Sequence, residues 1–172
     1  AGGLATQVGQ DFFPTIDAGE FKLHVRAPEG TRIESTERLF DQVEDVIREV
    51  VPEHERSLVL DNMGVPFRYS MPFDDGTTVG PNDGQIMVEL KEGHRPTADY
   101  IRKLRTELAR RFPDSVFYFQ PADIVTQILN FGLPAQVDIR ISGYDAANNR
   151  KVMQEVRQEV SRIPGLVDVH LH

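Results

Sequence analysis

The chain has 172 residues, a 40% hydrophobic fraction and a formal net charge of −8, which allows one folded domain or two small ones. The acidic balance argues against a nucleic-acid backbone as partner, because no surplus of cationic side chains exists to replace phosphate counterions. The absence of cysteine excludes a disulfide scaffold and a thiolate metal site.

The first strand-helix-strand unit begins where residues 20–27 alternate between polar and apolar side chains. This alternation predicts a strand with one core face and one charged face. Thr31 and Glu34 have the spacing of a capping box, which predicts a helix start. Apolar residues then recur every three or four positions until Pro52, and residues 57–63 are compatible with a second strand. The helical stripe consists of Leu39, Phe40, Val43, Val46, Ile47 and Val50.

Residues 64–83 form a long connection that is rich in glycine, proline and aspartate but also carries aromatic residues and methionine. Connections of this length without a periodicity of their own are usually functional or disordered. Solvated linkers seldom alternate aromatic residues with methionine, so we favour a functional loop.

The second unit repeats the order of the first. Residues 84–90 alternate as a strand, Thr97 is predicted to cap a helix that ends before Pro113, and residues 115–120 form the returning strand. The apolar side of this helix consists of Tyr100, Ile101, Leu104, Leu108 and Phe112.

A short connecting helix is predicted at residues 121–130, and a third unit follows it. This unit has a strand at 135–142, a helix capped by Asp145 and a last strand at 166–172. Two strand-helix-strand units complete a ferredoxin-like βαββαβ sandwich, whereas the third unit has no mate. The expected fold is therefore α+β, a ferredoxin-like sandwich plus an incomplete βαβ half-subdomain.

No established catalytic signature occurs in the sequence, which contains no GxSxG, Walker A, HExxH or GxGxxG motif. We therefore expect neither an enzyme nor a cofactor. His170 and His172 share a strand face, but two imidazoles without a third ligand more often mark a solvated strand end than a metal site. Asp74 and Asp75 are better explained as a turn before Gly76. No metal site is predicted.

A family resemblance rests on Phe13 and Pro14 followed by Asp17 and Gly19, and on a strand that ends in Ala-Pro-x-Gly-Thr before a helix. This order resembles the second periplasmic porter region, in the C-terminal half, of resistance-nodulation-division (RND) efflux transporters of the AcrB/AcrD/AcrF-like family. The likeness continues through residues 117–130 and the PGLVDV segment that ends at Val169. It therefore covers nearly the whole chain.

The resemblance implies a division of the chain into four parts. Residues 1–18 are a lead-in that follows a transmembrane helix in the parent protein, and residues 19–120 are the first porter subdomain. Residues 121–134 are a connecting helix and turn, and residues 135–172 are the first half of a second porter subdomain. No apolar run in the chain reaches the roughly 18 residues that span a bilayer, and the N-terminus lacks the order of a signal peptide. We therefore expect an excised periplasmic part of a bacterial inner-membrane protein.

The resemblance also implies a site. In these pumps the cleft between the two subdomains admits substrate, and a loop of the first subdomain gates its passage. Residues 64–83 take the place of that loop, and its gate candidates are Phe67, Tyr69, Met71 and Phe73. The candidates for the substrate pocket are Lys22, His24, Arg26, Met87, Phe117 and Phe119. From the residues alone, the charged face of the sheet could equally be an open, wet surface or a subunit contact.

The expected function is substrate binding in a proton-driven multidrug efflux pump that exports amphiphilic small molecules. Many drug exporters carry apolar or sulfur side chains on the first strand, whereas this chain has Lys22, His24 and Arg26, which suit an anionic or amphiphilic ligand. Heavy-metal export is the second hypothesis, although these cations repel metal ions. A stand-alone ferredoxin-like interaction domain is the third. The partners implied by the resemblance are the rest of the pump chain, two further copies in a homotrimer, a periplasmic adaptor and an outer-membrane channel.

Overall fold

The computed structural model describes residues 17–64, 80–120, 137 and 139–169. In chain order its elements are β1 (Glu20–Arg26), α1 (Ile33–Val50), β2 (Arg56–Met63), β3 (Asp83–Leu90), α2 (Thr97–Arg111), β4 (Val116–Gln120) and α3 (Ala146–Val160). The four strands form one antiparallel sheet in the order β2-β3-β1-β4. This is the predicted ferredoxin-like βαββαβ arrangement, which we call the sandwich, and α3 follows it.

The core lies between one face of the sheet and the helices α1 and α2. It is built from the apolar positions of the alternating strands and the apolar stripes of both helices, as the sequence pattern predicts. Its fully buried members include Phe21, Leu23, Val25, Phe40, Val43, Ile47, Ile86, Val88, Leu104 and Leu108. We call this side of the sheet the core face.

The N-terminal caps of the helices are predicted by local sequence signals in one case and not in another. Asp145 caps α3 as predicted, because its Oδ1 accepts hydrogen bonds from the backbone N–H groups of Ala147 and Asn148 at 3.0 and 3.1 Å. The capping box predicted for α1 is wrong. The N-cap residue is Arg32, which makes no side-chain cap, and the Thr31 hydroxyl instead donates to Pro28 O at 2.7 Å within the preceding turn.

The start of α2 is capped by a residue that is distant in sequence. Thr97 is the first helical residue rather than the cap. The carboxylate of Asp17 accepts hydrogen bonds from Thr97 N at 2.8 Å and from Thr97 Oγ1 at 2.5 Å, and it also accepts from Gly19 N at 3.1 Å. Burial opposes ionisation of this carboxyl group, but the hydrogen bonds outweigh it and lower the pKa of Asp17. Asp17 therefore joins the segment before β1 to the N-terminus of α2.

The third unit differs from the sandwich. Its helix α3 is present, but none of its residues is buried. The described residues on either side, 139–145 and 161–169, contain no strand, although strands were predicted at 135–142 and 166–172. A strand needs a neighbouring strand to satisfy its backbone groups, and a two-stranded unit with one helix is marginal by itself. The connecting helix predicted at 121–130 and the residues His170 and His172 lie outside the described residues.

Glu55 in the turn before β2 is hydrogen-bonded to Arg95 in the loop before α2 and to Tyr100 on α2. We call these three residues the clasp. The Glu55 carboxylate accepts hydrogen bonds from Tyr100 Oη at 2.5 Å, from Arg95 N at 2.8 Å and from Arg95 Nε at 3.1 Å. The Arg95 guanidinium also lies 5.1 Å from the centre of the Tyr100 ring. The hydrogen bond from Tyr100, followed by the hydrogen bonds and the charge of Arg95, lowers the pKa of Glu55 to about 2.

We expect this clasp to make acid stability depend on Glu55. The folded pKa lies below the ordinary value of 4.5, so the carboxylate contributes stability above that pH and loses it as the pH falls towards about 2. Glu55→Gln should therefore be less stable at neutral pH and should lose less stability over this acid range. Urea unfolding at a series of pH values measures both effects, with Glu53→Gln in the same turn as the control. Parallel pH profiles for Glu55→Gln and the wild type would contradict the prediction.

Candidate functional site

The face of the sheet opposite the core carries most of the predicted pocket residues. The strand register places them in rows that cross the sheet, because residues directly opposite one another share a face. One row consists of Leu60, Met87, Lys22 and Gln120, and the next of Asn62, Gln85, His24 and Tyr118. A third row contains Asp83, Arg26 and Val116. We call the side chains of these three rows the second face.

Much of the second face is buried although it is polar. Lys22 is 8% exposed, and His24 and Asp83 are fully buried. A two-layer sandwich with helices on one side leaves the other side of its sheet to solvent unless something covers it. Burying charged groups is costly unless they are paired. The interpretation of this face as an open, wet surface is therefore wrong for its central part.

Asp83 at the start of β3 is the centre of the buried charge network. Its Oδ1 is hydrogen-bonded to His24 Nε2, and its Oδ2 accepts hydrogen bonds from Arg26 Nε at 3.2 Å and from Arg26 Nη2 at 3.0 Å. Burial opposes ionisation of this carboxyl group, but the hydrogen bonds from the two basic side chains outweigh it. The pKa of Asp83 is therefore lowered, and the carboxylate remains charged at neutral pH.

Two residues of β4 complete this part of the second face. The rings of His24 and Tyr118 are stacked, with centroids 4.4 Å apart and planes 13° from parallel. Gln120 is 5% exposed, and within the part of the chain that the structure describes its side-chain amide makes no hydrogen bond. A buried amide without partners is costly. Gln120 is therefore a polar group that a ligand could satisfy.

The β2 side of the second face has a different character. Leu60 is 56% exposed and lies opposite the half-buried Met87, which in turn lies opposite Lys22. Leu58, two residues earlier on the same side of β2, is also exposed. An accessible apolar strip thus borders the buried polar network.

The structure does not bring all six predicted pocket residues together. Lys22, His24, Arg26 and Met87 share the second face, whereas Phe117 and Phe119 point to the core face, opposite Val25 and Leu23. The Phe119 ring contacts Phe21, with centroids 5.9 Å apart. The four gate-loop candidates Phe67, Tyr69, Met71 and Phe73 lie outside the described residues.

Sequence reasoning missed Asp83, Tyr118 and Gln120 as members of this site. The alternation in β4 could have separated Phe117 and Phe119 from Tyr118 and Gln120, because only the second pair includes a side chain that needs polar partners. No local signal could have identified Asp83, because its partners lie on β1. The register that brings β1 and β3 together cannot be predicted from the sequence of either strand alone.

Within the described ranges, no group of three or more histidine, aspartate or glutamate side chains is arranged to hold a metal ion. None of the helices described is long and apolar enough to cross a membrane. The buried carboxylate of the second face, Asp83, is instead paired with His24 and Arg26.

Comparison with known proteins identifies the family to which the sequence is similar and solved structures with a similar fold. A sequence model of the AcrB/AcrD/AcrF family matches residues 3–172, and no curated protein matches the chain. Two similar solved structures are both X-ray crystal structures of a heavy metal efflux pump. Crystal form II has a TM-score of 0.72 and 24% sequence identity, and it covers 96% of this chain. Crystal form I has a TM-score of 0.73 and 22% sequence identity, and it covers 95% of this chain. The chain spans 17% of the length of either one, and these likenesses establish the fold.

Proposed function

Because the chain belongs to the AcrB/AcrD/AcrF family, we propose that it is a porter segment of a proton-driven RND efflux pump that binds amphiphilic small molecules. The observation that carries the proposal is the second face, where charged and polar side chains are buried on the side of the sheet away from the helices. A segment that only needed to be stable would more simply cover that side with apolar residues.

The chemistry of the second face suits a ligand with a polar head and an apolar body. The side chain of Arg26 is 18% exposed, and Met87 and Leu60 offer apolar contact at the other end of the face. Arg26 and Lys22 are four residues apart on β1, so the two ends are separated by roughly 13 Å at about 3.3 Å per residue. Ligand sites commonly combine apolar walls with a few polar groups that fix orientation, and Gln120 supplies one such group.

The segment would act by binding and release rather than by chemistry, so no enzymatic step is proposed. Subdomains that shift between conformations would alternately open and close a cleft against the second face. We place it in the periplasmic part of a bacterial inner-membrane pump, with a homotrimeric assembly, an adaptor and an outer-membrane channel as partners. The gate role of residues 64–83 remains part of this proposal.

Heavy-metal export is a second candidate, because both solved structures named above are of a heavy metal efflux pump. A metal exporter would need carboxylate, imidazole or thioether ligands that converge on its path. Asp83, His24 and Met87 on the second face are the described side chains of these types, although Asp83 and His24 already bind each other.

An amide-resolved NMR titration separates the two candidates. We expect decanoate or decyltrimethylammonium, each below its micelle-forming concentration, to shift amides of the second face around Arg26, Met87 and Gln120. Zinc or copper should leave them in place. Met87→Gln should weaken the amphiphile shifts, whereas the matched control Met153→Gln on α3 should not.

Two outcomes would overturn the proposal. If metal alone moves a compact group of amides that includes His24 and Asp83, heavy-metal export takes its place. If neither class of ligand moves the second face, this face is not a substrate surface, and an interaction with another protein is the better hypothesis.

A further inference from the structure

A cleft lies at the edge of the sheet. It is formed between the C-terminal half of α2 and the edge strand β4, and its volume is about 320 Å³. This volume is at the lower end of the range for small-molecule pockets. The residues that line it are Arg105, Ala109, Phe112, Pro113, Ser115, Val116, Phe117 and Asp168.

The walls of this cleft are aromatic and apolar around a single cationic group. The rings of Phe112 and Phe117 are tilted by 51°, with centroids 6.0 Å apart. The Arg105 guanidinium lies 5.1 Å from the centre of the Phe119 ring, and its side chain is 31% exposed. An arginine beside aromatic rings binds planar anionic groups well, because its donors form a rigid fork and its plane stacks on rings.

A carboxylate of the same chain already fills the binding position of Arg105. Asp168 Oδ1 accepts from Arg105 Nε at 2.9 Å, and Oδ2 accepts from Nη2 at 2.6 Å. The backbone N–H of Phe119 donates to the same Oδ2 at 3.1 Å. Asp168 adopts a φ of 58°, a conformation that aspartate and asparagine tolerate better than most residues. The cleft therefore presents a carboxylate-binding site with three donors, which are Arg105 Nε, Arg105 Nη2 and the backbone N–H of Phe119.

We infer that this cleft is a binding site for small aromatic carboxylates, which take the place of Asp168 on Arg105 and the Phe119 amide. The aromatic ring of the ligand would lie against Phe112 and Phe117 and bury apolar surface that Asp168 does not cover. An external carboxylate thus makes the same charge-assisted hydrogen bonds as Asp168 and adds apolar contact.

Binding at this site is coupled to the position of the third unit. Asp168 joins residues 161–169 to the edge of the sandwich, while no residue of α3 is buried. A ligand that displaces the Asp168 carboxylate removes these hydrogen bonds. Ligand occupancy and detachment of this segment therefore favour each other, as linkage requires. Of the residues that line the cleft, only Val116 also belongs to the second face, and the Arg105 and Phe119 groups that would hold the carboxylate do not, so this binding site is distinct from the one in the proposed function.

The experiment is an NMR titration of the 172-residue chain with 2-naphthoate, and two variants are expected to respond in opposite directions. Asp168→Asn keeps the size and the backbone preference of the side chain but removes its charge, so 2-naphthoate should bind about tenfold more tightly. Arg105→Gln removes the guanidinium and its charged donors, so the affinity for 2-naphthoate should fall by about tenfold or more. The Phe119 amide should be among the most strongly shifted signals, and amides of the second face other than that of Val116 should not move.

Matched controls identify the chemistry. Arg102→Gln changes an exposed arginine on the same helix, which is paired with Asp99, and should leave the affinity unchanged. 2-Naphthamide has the same shape as 2-naphthoate without its charge and should bind at least tenfold more weakly. The inference is overturned if Asp168→Asn binds 2-naphthoate no more tightly than the wild type, or if Arg105→Gln retains full affinity. Arg105→Lys keeps the charge but not the paired donors of the guanidinium, so its affinity for 2-naphthoate should lie between those of the wild type and Arg105→Gln. If Arg105→Gln does not fold, a lower affinity of Arg105→Lys than of the wild type tests the role of Arg105.

Discussion

Replacing Asp83 with alanine should lower the free energy of unfolding by about 3 kcal/mol at neutral pH, the usual cost of removing one partner from a buried ion pair. The side chain of Asp83 is fully buried and accepts hydrogen bonds from both His24 and Arg26. Without its carboxylate, the charge of Arg26 and the polar ring of His24 remain on a buried part of the sheet without this acceptor. Urea unfolding followed by circular dichroism measures the loss.

The pH dependence of the same variant provides an independent test. Hydrogen bonds from His24 and Arg26 outweigh the effect of burial and keep the pKa of Asp83 below its ordinary value of 3.8. A group with a depressed folded pKa contributes stability above its unfolded pKa and loses it as the pH falls through the folded one. The wild type should therefore lose more stability than Asp83→Ala as the pH is lowered below about 4.

Asp61→Ala is the control for both measurements, because Asp61 is an exposed aspartate on the neighbouring strand β2. It should change stability by no more than about 0.5 kcal/mol. A loss below about 1 kcal/mol for Asp83→Ala, or a pH profile parallel to that of the wild type, would show that the network around Asp83 contributes little to the fold.

The fold could be predicted from the sequence because its signals are local. Alternation over residues 20–27 and 84–90, and apolar stripes between prolines, determine which segments are strands and helices and which sides face the core. The cap of α3 was also predictable, since Asp145 and the amides it accepts from are two and three residues apart. The cap of α2 was not, because Asp17 and Thr97 are 80 positions apart.

The candidate site was predictable only in part, for the same physical reason. Alternation placed Lys22, His24 and Arg26 on one face, but the partner that unites His24 and Arg26 is 59 and 57 residues away. The family likeness predicts Phe117 and Phe119 in the pocket, whereas the register of β4 directs them to the core face. A shift of one residue in such an assignment moves a side chain to the opposite face.

Gly84 shows how closely the two faces of β3 are constrained. It follows Asp83 on the strand, so it lies on the core face, opposite Val25 on β1. A Cβ atom at this position would come within 2.4 Å of Asn62 O and 2.8 Å of Phe40 Cζ. It would also come within 2.9 Å of Met63 Cα. Real Cβ atoms do not approach other atoms this closely, and two of the three atoms belong to the backbone of the paired strand β2. The position therefore requires glycine for space, since α1 packs directly onto the sheet here.

Gly84→Ala should consequently destabilise the chain by about 3 kcal/mol, at the upper end of the cost of overpacking a core. Combining it with Phe40→Leu should recover part of this loss, because the shorter side chain removes one of the three close contacts. The coupling between the two changes should be at least about 0.5 kcal/mol by a double-mutant cycle in urea. The double variant should still be less stable than Phe40→Leu alone, since the contacts with Asn62 O and Met63 Cα remain. Strict additivity of the two changes would mean that Phe40 is not what restricts this position.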